Sequence, residues 1–234
     1  MSSLPCPLPA VERGDRLLVL VPHPDDETLG AAGLLLQAHQ VAASARVVIV
    51  TDGNRHGWGL RRRAESQRAL AILEGPRPDV EFWLYPEHRL QDTAALRAQV
   101  SPLLAAYQPT DVVTTLPEDL NPDHRALGEA VAASAAASGY HGRLYGFLVH
   151  YNRYPRPRRY SPTRALLLPD RLTHAAGHWY SLPLTDGDER LKLAAVRQYR
   201  TQLSRRNPVL RELLYGLVRR NELYCDLSSG GTSS

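Results

Sequence analysis

Short apolar runs rich in β-branched residues alternate along the chain with longer stretches in which apolar positions recur at helical spacing. The runs at residues 16–22 and 46–52 are almost continuously apolar, as in parallel strands that are buried on both faces. Further strands are predicted at residues 79–85, 110–116, 144–150 and 164–168, and helices at residues 29–43, 60–73, 93–107, 124–138, 186–203 and 208–219. This alternation predicts an open, mostly parallel α/β sheet with helices on both faces.

Length and composition narrow the class of protein. The 234 residues suit one α/β domain, predicted over residues 1–227, and the sequence SSGGTSS predicts a flexible tail at residues 228–234. A content of 43% hydrophobic and 22% charged residues excludes a disordered chain. No apolar run approaches the about 18 residues that a membrane span needs, and no signal peptide is apparent. We therefore expect a cytoplasmic protein without a membrane partner.

The charge balance is slightly basic, with 28 Lys and Arg against 24 Asp and Glu and a net charge of +4. A surplus of this size, spread along the chain, is typical of a solvated surface, so we expect no nucleic-acid partner. Lys192 is the only lysine. Cys6 and Cys225 lie near opposite ends and predict neither a disulfide framework nor a zinc finger. Trp and Tyr residues in the predicted loops are compatible with a homo-oligomer interface.

Ionisable side chains cluster directly after the first predicted strand, in the sequence PHPDDETLG at residues 22–30. In open parallel sheets, ligands bind at the carboxyl ends of the strands, so this position suits a functional site. A helix cap would account for one carboxylate at the start of the following helix. It would not account for His23 together with Asp25, Asp26 and Glu27.

A second acidic loop, PEDLNPDH at residues 117–124, follows the fourth predicted strand. Alone, it would suit a helix cap or a solvated loop equally well. Because both loops end at the same edge of the sheet, His23, one aspartate of the pair and His124 can form a set of two histidines and one carboxylate. Three protein ligands with an open fourth position are typical of catalytic zinc, and the same set accepts Fe²⁺. The second aspartate is then a base beside a metal-activated water.

The sequence His23-Pro24-Asp25-Asp26-Glu27 resembles the signature of the PIG-L/LmbE-like family of zinc-dependent N-acetylglucosaminyl deacetylases. Further segments are similar to the family pattern: residues 51–53 (TDG), Arg62 with Glu65, residues 122–124 (PDH) and residues 192–202. The resemblance implies an LmbE-like, Rossmann-like fold. It also implies an amidohydrolase whose substrate is a small N-acetylated amino sugar or glycoside.

The resemblance also implies roles for single residues. Zn²⁺, or alternatively Fe²⁺, is expected on His23, Asp26 and His124, with Asp25 as general base and then acid. Arg62 is expected to contact the substrate, although Arg61 and Arg63 leave the register open by one position. Glu27 is assigned to the substrate as well, with a first-turn helix carboxylate as the alternative. Asp123 is expected to orient a ligand histidine.

Asn121 departs from the family pattern, because many members carry a histidine there that polarises the acyl oxygen. Either the Asn121 amide stabilises the oxyanion, or His150 or Tyr151 does so in its place. Glu87 lies after the third predicted strand, where members often carry an aspartate; a solvated loop is the favoured interpretation there. Residues 151–160 (YNRYPRPRRY) suit sugar stacking or an anionic substituent, or alternatively form a plain surface loop.

Two other functions stay open at this point. One is a metal-free, glycosidase-like hydrolase that uses Asp25 or Asp26 with Glu118 as its carboxylate pair. The other is a sugar-binding pseudoenzyme that keeps the zinc site without turnover, for which the Asn121 departure is the only support. A dinucleotide cofactor is disfavoured, because no Gly-x-Gly-x-x-Gly follows the first strand.

Overall fold

The computed structural model describes residues 5–172, 178–204 and 208–228, so the predicted tail lies outside the described residues except for residue 228. Its strands are β1 (Cys6–Pro7), β2 (Arg16–Val21), β3 (Ser44–Thr51), β4 (Val80–Tyr85), β5 (Asp111–Thr115), β6 (Arg143–Phe147), β7 (Trp179–Pro183) and β8 (Asn221–Asp226). Its helices are α1 (Asp26–Val41), α2 (Gly59–Glu74), α3 (Ala94–Tyr107), α4 (Pro122–Ser138), α5 (Asp186–Val196) and α6 (Pro208–Gly216).

The described strands form one sheet in the order β1-β7-β8-β6-β5-β2-β3-β4. Strands β4, β3, β2, β5 and β6 are parallel to one another, whereas β8 is antiparallel to β6 and β7. The chain leaves β2 toward β3 on one side and later enters β5 on the other side, so the strand order reverses between β2 and β5. Such a reversal opens a crevice at the carboxyl ends of the two strands. The predicted mostly parallel α/β fold is confirmed.

Strand β2 shows why the apolar runs lack alternation. Leu17, Val19 and Val21 pack in the layer that contains α1, α2, α5 and α6. Leu18 and Leu20 pack in the opposite layer, which contains α3 and α4. Both faces of the strand are therefore buried, and every position favours an apolar residue.

The predicted strand at residues 164–168 is wrong, because this segment bonds to a side chain instead of to a neighbouring strand. The Leu166 N–H donates to Asn221 Oδ1 at 2.6 Å, and its carbonyl accepts from Asn221 Nδ2 at 3.2 Å. Helix α5 also ends seven residues before its predicted end. The backbone N–H and hydroxyl of Thr201 donate to the Glu65 carboxylate at 3.0 and 2.5 Å, which holds this segment in turns.

In the described part of the chain, no helix is both long and apolar enough to cross a membrane.

Candidate active site

Three ligand-type atoms meet at the crevice between β2 and β5. The end of β2 leads into His23, the first turn of α1 carries Asp26, and the first turn of α4 carries His124. His23 Nδ1 lies 3.1 Å from Asp26 Oδ2 and 3.2 Å from His124 Nε2, and the two latter atoms are 3.2 Å apart. Tetrahedral ligands of zinc at about 2.0–2.1 Å lie about 3.3 Å from one another. The three buried side chains therefore fit a divalent metal ion.

Two further carboxylates lie beside the outer nitrogens of the imidazole rings. His23 Nε2 lies 2.9 Å from Asp123 Oδ2, and His124 Nδ1 lies 3.3 Å from Asp119 Oδ2, outside hydrogen-bonding geometry. Both contacts favour the tautomer with the proton on the outer nitrogen, which leaves the lone pair of the inner nitrogen for a metal. The structure thus brings Asp123 into contact with His23, one of the two histidines expected to bind a metal.

Asp119 was not assigned a role from the sequence. It is fully buried, and its Oδ2 accepts the backbone N–H groups of Val149 and His150, both at 2.9 Å. Burial alone would raise the pKa of Asp119, but the neighbouring His124 lowers it below its ordinary value. The only signal in the sequence is its place in the acidic loop after β5, since its partners come from the distant loop after β6.

The electrostatics of the cluster favour a bound cation. Burial opposes charge on Asp26, yet His124 and His23 hold the pKa of Asp26 well below its usual range. Burial also disfavours the imidazolium form of His124, but Asp26 and Asp119 raise the pKa of His124 well above its ordinary value. The buried carboxylates thus stabilise positive charge at the position that a metal ion would take.

Asp25 lies beside this cluster in an unusual backbone conformation, with φ of 142° at the start of α1. Its N–H donates to Glu27 Oε2 at 2.9 Å, and its carboxylate lies 3.4 Å from Arg62 Nη2. Burial raises the pKa of Asp25 to about 8, against the lowering effect of Arg62. A strained residue with such a pKa at a cavity wall is characteristic of functional sites.

The structure decides the register of the three consecutive arginines. Arg61 is exposed and Arg63 is half-buried, whereas Arg62 is buried and lines the same cavity as Asp25. Arg62 donates to the Pro24 carbonyl at 3.1 Å and to Glu87 Oε1 at 3.0 Å. The expected solvated loop at Glu87 is therefore wrong, because its side chain is only 8% exposed and forms an ion pair.

Glu27 is placed behind Asp25 and does not line the cavity. It is fully buried, and its Oε1 accepts from the hydroxyls of Ser66 and Tyr199 while its Oε2 accepts the Asp25 N–H. The substrate contact expected for Glu27 is therefore not available in this structure. Its carboxylate instead holds the backbone of Asp25 in place.

Asn121 and His150 both line the cavity, whereas Tyr151 does not. Asn121 Oδ1 accepts the Asp123 N–H at 3.0 Å, which leaves the amide N–H₂ as the group that can donate to a ligand. The ring centroid of His150 lies 5.0 Å from that of His124. Burial and the neighbouring His124 lower the pKa of His150 to about 4, so its ring is neutral at pH 7.

The cavity has a volume of about 150 Å³ and is open to solvent on one side. This is the space of about five water molecules, which is enough for an acetamido group. Its walls also include residues that the sequence did not point to: His88, Gln202, Leu210, Leu213 and Leu214. They come from the loop after β4 and from the region of α6, and only the fold brings them to the site.

A family model described as PIG-L, GlcNAc-PI de-N-acetylase, matches residues 18–135, slightly more than half of the chain. The match contains both acidic loops. It also contains His23, Asp26 and His124, whose three ligand-type atoms we call the donor triangle. The chain belongs to the PIG-L family. No curated protein matches the chain in a sequence search.

Solved structures share the fold of this PIG-L protein. The A40926 pseudoaglycone deacetylase Dbv21 is 24% identical, with a TM-score of 0.66, and the match covers 92% of this chain and 97% of that chain. The N,N'-diacetylchitobiose deacetylase from Pyrococcus horikoshii is 23% identical, with a TM-score of 0.63 and coverage of 90% and 82%. GalB, the 4-carboxy-2-hydroxymuconate hydratase from Pseudomonas putida KT2440, is 19% identical, with a TM-score of 0.58 and coverage of 85% and 82%. The fold thus occurs in a hydratase as well as in deacetylases, so function has to be argued from the site.

Proposed function

We propose that this PIG-L family protein is a metal-dependent N-deacetylase that hydrolyses the N-acetyl amide of an N-acetylglucosaminyl-type substrate. The observation that carries the proposal is the donor triangle of His23, Asp26 and His124 with Asp25 beside it in one cavity. Membership of the PIG-L family supports the substrate class. The names of two structurally similar proteins, both deacetylases, support the reaction class.

Bound to His23, Asp26 and His124, a Zn²⁺ or Fe²⁺ ion would polarise the acyl oxygen and lower the pKa of the attacking water. Asp25 accepts a proton from this water as the new carbon–oxygen bond forms. Asp25 then returns the proton to the amide nitrogen as the carbon–nitrogen bond breaks, which releases acetate and the amine. A pKa near neutrality suits a group that performs both transfers, and Arg62 stabilises its anionic form.

The amide N–H₂ of Asn121 donates a hydrogen bond to the acyl oxygen, on which negative charge develops. His150 is a second neutral donor on the same cavity wall. Asp119 and Asp123 keep the two ligand imidazoles in position, and Arg62 contacts the hydroxyl groups of the sugar. None of these roles requires Glu118, the partner in a metal-free carboxylate pair.

The test measures bound metal by mass spectrometry and acetate release from N-acetylglucosamine and its glycosides. We expect about one metal ion per chain, which His124→Ala loses together with activity. Asp25→Asn should keep the metal but lose activity by about 10²–10⁴-fold, the contribution of general acid–base catalysis.

Glu118→Gln is the matched control, because Glu118 is an exposed carboxylate of the same loop that carries Asp119. We expect it to leave metal content and activity unchanged. The proposal fails if the metal-loaded protein releases no acetate from any of these substrates. It also fails if chelation leaves the activity intact while Glu118→Gln abolishes it, the result that a metal-free carboxylate pair would produce.

A further inference from the structure

The positive charge of the chain is concentrated in one segment, residues 151–172. This segment contains a single carboxylate, Asp170, and six arginines, so its formal charge is +5. Because the whole chain carries +4, all other residues together carry −1. The expectation of a surplus spread along the chain is therefore wrong, and the segment is a distinct basic feature.

Most of these arginines line two adjoining cavities. Arg153, Arg156 and Arg171 line a cavity of about 470 Å³, and Arg153 and Arg156 also line a more open one of about 570 Å³ with Arg158 and Arg164. All five are exposed, and none of them forms an ion pair with any residue that the structure describes. Their guanidinium groups are thus available to an external anion. We call these two cavities together the arginine groove.

Side chains from the end of the chain hydrogen-bond to the backbone of the basic segment. Arg219 is fully buried and donates to the carbonyls of Pro157 and Ser161 at 2.5 and 3.2 Å. Asn221, at the start of β8, holds both backbone groups of Leu166. The backbone of the basic segment is therefore fixed to the fold, and the arginines project from a defined surface.

Consecutive residues of the chain line the arginine groove and the cavity that contains Asp25, which we call the acyl cavity. Tyr151, which lines the 470 Å³ cavity of the groove, directly follows His150, which lines the acyl cavity. Because the acyl cavity is open to solvent on one side, the part of a substrate beyond its acetamido group can extend out of it. The 470 Å³ cavity has the volume of an ordinary small-molecule pocket, for which about 300–1,000 Å³ is typical.

We propose that the arginine groove is a substrate subsite that binds a carboxylate or phosphate group on the aglycone of the N-acetylated sugar. Guanidinium groups bind both anions through paired hydrogen bonds. The arginines line a concave surface beside the site of hydrolysis, which favours a small anionic group of the substrate over an extended polyanion. The inference rests on the proposed function and adds to it the charge of the aglycone.

The test compares two aryl N-acetylglucosaminides of nearly equal shape, with a 4-carboxyphenyl and a neutral 4-carbamoylphenyl aglycone. We expect wild-type kcat/KM to favour the carboxylate by about tenfold or more at low ionic strength, the effect of one charge-assisted contact. Added salt should reduce this preference. Arg156→Gln with Arg171→Gln should abolish it, mainly through KM, and leave the carbamoyl substrate within about twofold.

Arg13→Gln with Arg68→Gln is the matched control, since it removes two exposed arginines from outside the segment. It should keep the preference. Equal kcat/KM for the two glycosides in the wild type, or an equal loss of preference in the control, overturns the subsite. A third result would also overturn it: the wild type shows no preference between the glycosides but binds duplex DNA or phosphatidylserine vesicles tightly, and the groove variant loses this binding.

Failure of the proposed function has a different signature, namely no acetate from either glycoside. Calorimetric binding of the 4-carboxyphenyl glycoside then decides the subsite separately. Weaker binding to the groove variant than to wild type and to the control variant supports the subsite. Equal binding to all three proteins contradicts it.

Discussion

At the scale of single residues, each buried carboxylate of the site is matched by a specific set of donors. Asp119 accepts two backbone N–H groups from the loop after β6, and Asp123 accepts the N–H groups of His88 and Leu90 from the loop after β4. The sequence predicted an orienting role for Asp123 because it directly precedes His124, an expected metal ligand. It could not predict the role of Asp119, because its donors are about thirty residues away and only tertiary structure supplies them.

Glu74 is a half-buried carboxylate whose inaccessible oxygen lacks such donors. It ends α2, where the helix dipole disfavours negative charge, and its Oε1 has no hydrogen-bond partner among the described residues. Burial, with smaller effects of Glu27 and Asp79, raises the pKa of Glu74 to about 8. The folded protein therefore holds a proton between about pH 4.5 and 8 that the unfolded chain releases, so rising pH destabilises the fold through this window.

Glu74→Gln should remove this pH dependence. We expect the variant and the wild type to have similar free energies of unfolding at pH 4.5, and the variant to be more stable by a few kcal/mol at pH 9, at about 1.4 kcal/mol per unit of pKa shift. Denaturant unfolding at the two pH values measures the difference. Glu129→Gln, an exposed substitution on α4, is the control and should show no such trend. A stability difference that is the same at both pH values would contradict the interpretation.

At the scale of elements, the sequence predicted the strands whose own residues demand burial and missed those that depend on contacts with distant residues. Strands β2 and β3 contain continuous apolar runs, residues 17–21 and 47–50, that are buried on both faces, and the sequence predicted both strands. Strands β7 and β8 were missed, because β8 (NELYCD) begins with the polar residues Asn221 and Glu222, which are buried only because they bond to other elements. The apolar run at residues 164–168 was predicted as a strand but is not one, because it has no neighbouring strand to pair with.

The crossing of α4 and β5 sets the position of His124. A Cβ at Gly128 would lie 2.4 Å from the Thr115 carbonyl oxygen and 3.0 Å from the Pro117 nitrogen, both backbone atoms that cannot move aside. The Thr115 hydroxyl also donates to the His124 carbonyl at 2.8 Å. The close approach at Gly128 therefore determines how deeply His124, one helical turn earlier, enters the site.

Gly128→Ala should push α4 away from β5 and displace the imidazole of His124. We expect a loss of about 1–3 kcal/mol in the free energy of unfolding, as for overpacking, together with weaker metal binding. Thermal unfolding and metal titration measure the two effects. Gly187→Ala on α5 is the control, because a Cβ there meets only Thr185 Oγ1 at 3.5 Å and favours the helix. Unchanged metal affinity in Gly128→Ala would rule out the proposed coupling.

At the scale of the whole molecule, the elements after residue 178 connect to the half of the sheet that carries the site. Lys192 of α5 is fully buried, and its Nζ donates to Glu222 Oε1 of β8 at 2.6 Å and to the Leu29 carbonyl of α1 at 2.8 Å. Glu222 Oε2 accepts the Gly33 N–H of α1 at 3.0 Å. The ion pair thus joins α5 to β8, and hydrogen bonds from both of its members connect these elements to α1, the helix that begins with Asp26.

Lys192→Met should leave Glu222 buried without its cation. We expect a loss of about 3–5 kcal/mol in the free energy of unfolding, the usual cost of breaking a buried pair from one side. Adding Glu222→Gln should recover part of this loss, because no unpaired charge then remains. Arg190→Met, an exposed substitution on the same helix, is the control and should change stability little. Equal melting temperatures for Lys192→Met and Arg190→Met would show that the ion pair does not hold these elements together.

The burial of Lys192 has a consequence for the outer chemistry of the protein. Since Lys192 is the only lysine and is fully buried, the folded surface of the chain presents no lysine ammonium group, and its permanent side-chain cations are guanidinium groups. Acylating reagents and lysine-specific proteases can reach this side chain only when α5 separates from α1 and β8. Modification of the Lys192 amine therefore reports how often these elements of the fold separate.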